Sequence, residues 1–222
     1  MLPTHEEKLK KIRNLLIELG NDATMALEQA LSGLNQLDDA RFEASINTLK
    51  NAANKGNKID NEIVLSLALF NAEATDLREL IAYLKATNEL IRITDQIKGF
   101  SKKISPLLKE GACVSNCKEY ASHLCKSATT AVSLAIKAVS ETDKDEVRNL
   151  YRQVQVEESK TDDLYSILEK NILSELSQQQ EFSESHMNIL STVRKLEKIA
   201  DRAVNIAKLA LFAEAGGELN IY

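Results

Sequence analysis

Two pairs of carboxylates stand four residues apart in the C-terminal half of this 222-residue chain, Glu158 with Asp162 and Glu197 with Asp201. On a helix that spacing puts both acids of a pair on one face, with Cβ atoms about 5–6 Å apart. Each pair falls in or beside an apolar stripe: Val154, Glu158, Thr161, Tyr165, Leu168, Ile172 for the first and Ile189, Val193, Leu196, Ala200, Ala203, Ala207, Ala210 for the second. Two such helices side by side gather four anions in a partly dry groove, which is unstable unless the charges are protonated or paired. Either the basic neighbours Lys160, Arg194, Lys195, Lys198 and Arg202 neutralise them, or a multivalent cation with a preference for oxygen does. Spacing alone leaves both open.

The first half holds weaker versions of the same pattern. Asp60 and Asp95 sit at matching places, but the residues four before them are Gly56 and Ile91. Cys113, Cys117, His123 and Cys125 match no standard structural zinc spacing, and the three cysteines read as small buried thiols beside an alanine stripe. None of the three histidines follows a Glu by three residues, so the Glu-x-x-His of di-iron bundles is absent. No nucleophile with a base and no glycine-rich phosphate loop is visible. Asp76 reads as a helix cap and Arg78 as a surface cation, with a partner contact as the functional alternative for both.

Six helical segments must carry these residues. The first opens at Thr4 with Glu7 three residues on and runs Leu9, Ile12, Leu16, Leu19, Ala23, Ala26, Ala30. Asp38-Asp39 starts a second, with the stripe Phe42, Ile46, Leu49, Ala53, Gly56, Asp60, Ile63, Leu67, Phe70. Thr75-Asp76 starts a third, with Leu77, Ile81, Leu84, Asn88, Ile91, Asp95. Ser105-Pro106 through Gly111 is the expected boundary, and Cys117, Ala121, Leu124, Ala128, Ala131, Ala135 mark the fourth. Thr142-Asp143 and Ser183 or Ser185 open the last two. Helices of this length span about 40–50 Å and pack as elongated bundles.

Seven glycines, two prolines and 44% apolar residues exclude a disordered chain, a β-sandwich and a glycine-rich α/β fold. A net charge of −5, without a concentrated basic face, argues against nucleic acid as partner. The sequence has no run of about 18 apolar residues and no apolar signal core, which predicts a cytoplasmic protein that meets membranes only through partners.

The chain also repeats itself. Leu90–Asp95 aligns with Leu196–Asp201 at an offset of 106, and Asp60 with Asp162 at 102. The expected fold is therefore all-α, two tandem three-helix bundles related by duplication, residues 1–108 and 109–222.

The run Leu196-Glu197-Lys198-Ile199-Ala200-Asp201-Arg202-Ala203-Val204-Asn205-Ile206-Ala207 resembles the signature of the PhoU family. Thr75-Asp76-Leu77-Arg78 is similar to that family's DLR segment, and Asn57 to Ile63 and Val156 to Leu164 are similar to its two acid-bearing second helices. The resemblance implies a non-enzymatic regulator of inorganic phosphate uptake and phosphate-starvation signalling. It would act with the ATPase subunit of a Pst-type phosphate ABC transporter, with a sensor histidine kinase, or with both, as monomer or homodimer. It further implies metal, divalent or trivalent (iron, manganese, magnesium, zinc or calcium), on Glu158, Asp162, Glu197 and Asp201, with Asp60 and Asp95 as weaker candidates. Two alternatives stand beside it: a metal-storage or metal-dependent helical bundle, and an accessory of a Pit-type phosphate transporter.

Overall fold

The structure is a computed structural model that describes residues 5–69, 74–109, 117–179 and 184–217. Among these residues there are seven helices and no strand: α1 (His5–Gln36), α2 (Asp39–Thr48), α3 (Ala52–Leu69), α4 (Ala74–Lys109), α5 (Cys117–Ser140), α6 (Lys144–Gln179) and α7 (Glu184–Ala215). Helices α1, α2–α3 and α4 form one three-helix bundle, and α5, α6 and α7 the other. The bundles lie side by side through two seams, α1 against α5 and α4 against α7, the second being the more extensive. Four inner helices thus share one continuous apolar core, while α2–α3 and α6 flank it on the outside.

Composition explains how the inner helices approach so closely. The expected α1, α5 and α7 stripes are buried throughout, and much of what they present is alanine. Gly20 of α1 meets Ile136 of α5 at the seam, where a Cβ would stand 2.1 Å from Ile136 Cδ1. Only a hydrogen fits there. Caps fix the ends: Asp38 accepts from the Ala40 N–H at 3.0 Å, and Asp143 Oδ1 from the N–H groups of Asp145 and Glu146 at 3.1 and 2.9 Å. Helix α1 closes with Leu37 at φ 54° and the Asp38 N–H donating to Gly33 O at 3.2 Å, a Schellman turn without its usual glycine.

Three sequence expectations change. The second helix is two helices, because Leu49-Lys50-Asn51 forms a tight turn with i→i−3 bonds from Leu49 to Ile46 and from Lys50 to Asn47, at 3.2 and 3.1 Å. The turn buries Leu49 and resets the face of α3, so Ala52, Ile59 and Ser66 point inward while Ala53 and Leu67 are exposed. In α4 the buried positions include Leu80, Tyr83, Thr87, Leu90, Ile93 and Ile97, whereas Leu77, Ile81, Asn88 and Asp95 face solvent. That face is wide because α4 packs on α1, α2, α3 and α7 at once. Finally, α4 continues through Pro106 to Lys109, its last turn tied to the start of α2 by Ser105 and Lys109, both bonded to Asp39. Thr4, Phe70, Cys113 and Ser183 lie outside the described residues.

Candidate metal centre

The long helices α6 and α7 lie side by side, and their facing surfaces carry the complete acid pairs. Thr161, whose hydroxyl donates to Glu158 O at 2.7 Å, is buried and sets the register that leaves Glu158 and Asp162 at the seam. One carboxylate oxygen each from Glu158, Asp162 and Asp201 lies within 4.8 Å of the others. Glu197, one turn before Asp201, is not in that trio. Its Oε2 is buried without a hydrogen bond and stands 3.7 Å from Arg194 Nε.

Most of the cations named from sequence turn their closest contact elsewhere, while Arg194 pairs with Glu197, and Arg202, Lys198 and Arg194 act on Asp201 only at longer range. Lys160 binds Glu157 at 2.5 Å, and Arg202 binds Glu89 of α4 at 2.8 Å. The guanidinium of Arg194 sits 5.9 Å from the Tyr165 ring centroid, and Lys195 lies along Gly99 of α4. Among the described residues no cation stands within 4 Å of Glu158, Asp162 or Asp201. Burial and the neighbouring carboxylates therefore push protons on. The carboxyl of Glu158 is raised by burial, then by Asp162 and Asp201; that of Glu197 by burial, then by Asp201; that of Asp201 by burial, then by Asp162.

This donor set suits a hard cation. Three carboxylates, a fourth one turn away and no thiol or imidazole among the three match magnesium, manganese, calcium or iron better than zinc, which favours nitrogen and sulfur in structural sites.

The first half is built differently. Gly56 faces Ile91, whose Cδ1 and Cγ1 would stand 2.7 and 2.9 Å from a Cβ at that position. The two residues that break the acid pattern thus fill one another's space with an apolar contact. Asp60 keeps a buried Oδ1 without a hydrogen bond, its carboxyl raised by burial, while Asp95 is exposed and paired with Lys98 at 2.8 Å. Neither joins a three-ligand group among the described residues.

The remaining candidates settle into the scaffold. Asp76 lies in the first turn of α4, 3.1 Å from His5 Nδ1. Arg78 is half-buried rather than a free surface cation, and its Nε donates to Ala213 O of α7 at 3.3 Å. Cys117 and Cys125 are buried thiols outside any disulfide, with burial pushing the Cys125 thiol up to about 12, while His123 points to solvent near Glu119. A polar node that sequence reading missed is Arg13 of α1, which donates to Tyr83 Oη at 2.5 Å, Glu79 at 2.9 Å and Glu214 at 2.8 Å. Its partners are 66 to 201 residues away, beyond any local pattern.

A duplicated helical chain with a carboxylate cluster between two helices of one repeat defines a tandem three-helix-bundle protein, and no catalytic constellation is visible among the described residues. The PhoU domain matches residues 16–104 and again 121–210, and the chain belongs to the PhoU family. It is 27% identical over 219 residues to the phosphate-specific transport system accessory protein PhoU homolog of Pseudomonas aeruginosa, covering 96% of this chain and 86% of that one. With the phosphate-specific transport system accessory protein PhoU of Escherichia coli it shares 23% over 217 residues, 94% and 84% of the two chains. The crystal structure of PhoU from Pseudomonas aeruginosa has the same fold, with a TM-score of 0.85 at 23% identity over 96% of this chain and 100% of that one. The phosphate transport system regulatory protein PhoU from Streptococcus pneumoniae follows at 0.81 and 21%, over 96% and 98%.

Proposed function

We propose that this protein is a non-enzymatic accessory of a phosphate-specific transport system that restrains phosphate uptake and starvation signalling when phosphate is plentiful. The observation that carries the reading is the family match in both repeats, joined by full-length likeness to proteins named as accessories of that system. No helix among the described residues is long and apolar enough to cross a membrane, so contact with a transporter runs through a docking surface. Large apolar side chains stay uncovered where α3 ends and α4 begins, including Val64, Leu69, Leu77 and Ile81, the kind of surface a protein partner covers. The expected partners are the cytoplasmic ATPase subunit and the sensor kinase. Asp76 and Arg78 stand beside that surface and keep their part in holding α4 in place.

A metal on Glu158, Asp162 and Asp201, with Glu197 beside them, belongs to the same reading. When bound it would supply positive charge that relieves the acid cluster and locks α6 to α7. The protein's own share is to hold three oxygens within reach of one ion.

Deleting the gene should derepress the starvation response in high phosphate, and affinity capture should recover the transporter ATPase or the kinase. Unchanged uptake and reporter expression, with neither partner recovered, would leave fold likeness without the function.

A further inference from the structure

The stripe that the sequence marks on α4 lies outside the core. Leu77 and Ile81 are exposed, and Leu84 and Ile91 are only partly buried. Their spacing keeps them on one side of the helix, and Gly56, whose missing side chain faces Ile91 and Thr87, sets α3 beside that side. On α3, Asp60, Val64 and Leu67 follow Gly56 at helical spacing and share its α4-facing flank, with Val64 and Leu67 exposed. The two rows bound an apolar trough that runs from Leu77 to Ile91, about 21 Å or about four helical turns. Asp60 stands in it. Its Oδ1 is buried without a hydrogen bond, and burial alone raises its carboxyl. The cations of α3 and α4 nearest in sequence turn away: Lys55 binds Glu18 and Asp22 of α1, both at 2.6 Å, Arg78 donates to Ala213 O of α7, and Lys85 lines a groove against α7. Lys98, near the far end, is bound to Asp95 at 2.8 Å.

We propose that this trough receives one amphipathic helix of a partner protein, whose docked face carries apolar anchors at three- and four-residue spacing and one lysine or arginine that ends on Asp60. Two parallel apolar rows with a channel between them are the form of a helix-in-groove site. Asp60 specifies the charge. A buried acceptor without a donor costs free energy, and a docked cation supplies the donor as a charge-assisted bond. One carboxylate is too small a donor set for a metal ion, so the cation arrives on a side chain. A second copy joined through the same trough brings no such cation, because the lysines and arginines named above face other helices or are already paired. The proposal rests on the protein-docking face described above and specifies its occupant; peptide binding to the purified chain and the gene deletion can each fail without the other.

The test is selection on the full chain, in chelator, from a displayed library of alanine-based helices of about four turns with one face randomised, followed by fluorescence anisotropy of the enriched peptides. Those peptides should carry apolar residues at three- and four-residue spacing and one Lys or Arg on the same face. Exchanging that basic residue for glutamine should weaken binding about tenfold to the parent chain and no more than about twofold to Asp60→Asn, a difference that a purely structural role for Asp60 would not produce. Val64→Glu and Ile81→Glu, both at exposed positions, should each weaken binding about tenfold, while Val156→Glu, exposed on α6, should leave it unchanged. Sedimentation velocity and flotation with phosphatidylglycerol vesicles run beside it. Self-association abolished by Ile81→Glu hands the trough to a second copy, and flotation abolished by Ile81→Glu hands it to lipid. Either result overturns the proposal. So does a library from which nothing is enriched, or one whose enriched peptides lack a basic residue or bind Val64→Glu and Ile81→Glu as well as the parent.

Discussion

At the scale of single residues the acid cluster has a signed dependence on pH. Glu158, Glu197 and Asp201 hold their protons more tightly folded than unfolded. Between the ordinary carboxylate range near pH 4 and the raised values, the folded chain therefore carries more protons than the unfolded one, and stability falls as pH rises through that window. In chelator, Asp162→Asn with Asp201→Asn should be more stable than the parent at neutral pH by about 0.5–1 kcal/mol, modest because both groups meet solvent, and equal to it below about pH 4. Urea unfolding at both pH values measures this. With manganese added the order should reverse, since the parent gains about 2.7 kcal/mol at a hundredfold excess over Kd and the variant gains nothing. A variant that still binds manganese by calorimetry rules out the assignment. Arg13 gives the complementary case. Arg13→Met leaves Glu79 and Glu214 facing one another without a cation and should cost about 3 kcal/mol at neutral pH. That deficit should shrink as pH is lowered through the carboxylate range and both acids protonate.

At the scale of helices, close approach at the seams rests on missing side chains. Gly20→Ala forces Ile136 out of place and should destabilise by about 1–3 kcal/mol, despite the better helix propensity of alanine. Combining it with Ile136→Ala should recover part of the loss, so that the double variant is less damaged than the sum of the two. The stripes of α1, α5, α6 and α7 were legible because one unbroken period of apolar residues meets one set of neighbours. Those of α3 and α4 were not. The Leu49–Asn51 turn contains no glycine or proline, and only the burial of Leu49 and the tight bonds around it reveal the restart. The α4 stripe misled because four neighbouring helices cover it and the true apolar face is broader than one row. The i,i+4 spacing marked the pairs Glu158–Asp162 and Glu197–Asp201, but not that Glu197 stands apart from the other three, nor the pairing of Arg202 with Glu89, as 113 residues separate them.

Across the whole molecule, the two bundles share a core, with α4 on α7 and α1 on α5. Each half taken alone would expose two inner helices lined with alanine and leucine. A fragment ending at Lys109, or one starting at Cys117, should therefore remain helical by far-ultraviolet circular dichroism yet lose cooperative unfolding, whereas the full chain melts in one transition. Two separate melting transitions in the full chain, each reproduced by one fragment, would contradict the shared core.

The Gly56–Ile91 contact also constrains the order in which substitutions could convert the first repeat into a likeness of the second. A side chain at position 56 crowds Ile91 as long as isoleucine stands there, whereas on the side of Gly56 a residue at 91 meets only a hydrogen. Of the two single-step routes between these states, one passes through a crowded intermediate and the other through a roomy one. Acidic residues can enter at 91 first and 56 second without crowding, whereas the reverse order requires the Ile91 side chain to shift first. The asymmetry of the two repeats is thus directional in mutational terms: the step at 56 is easier once position 91 has changed.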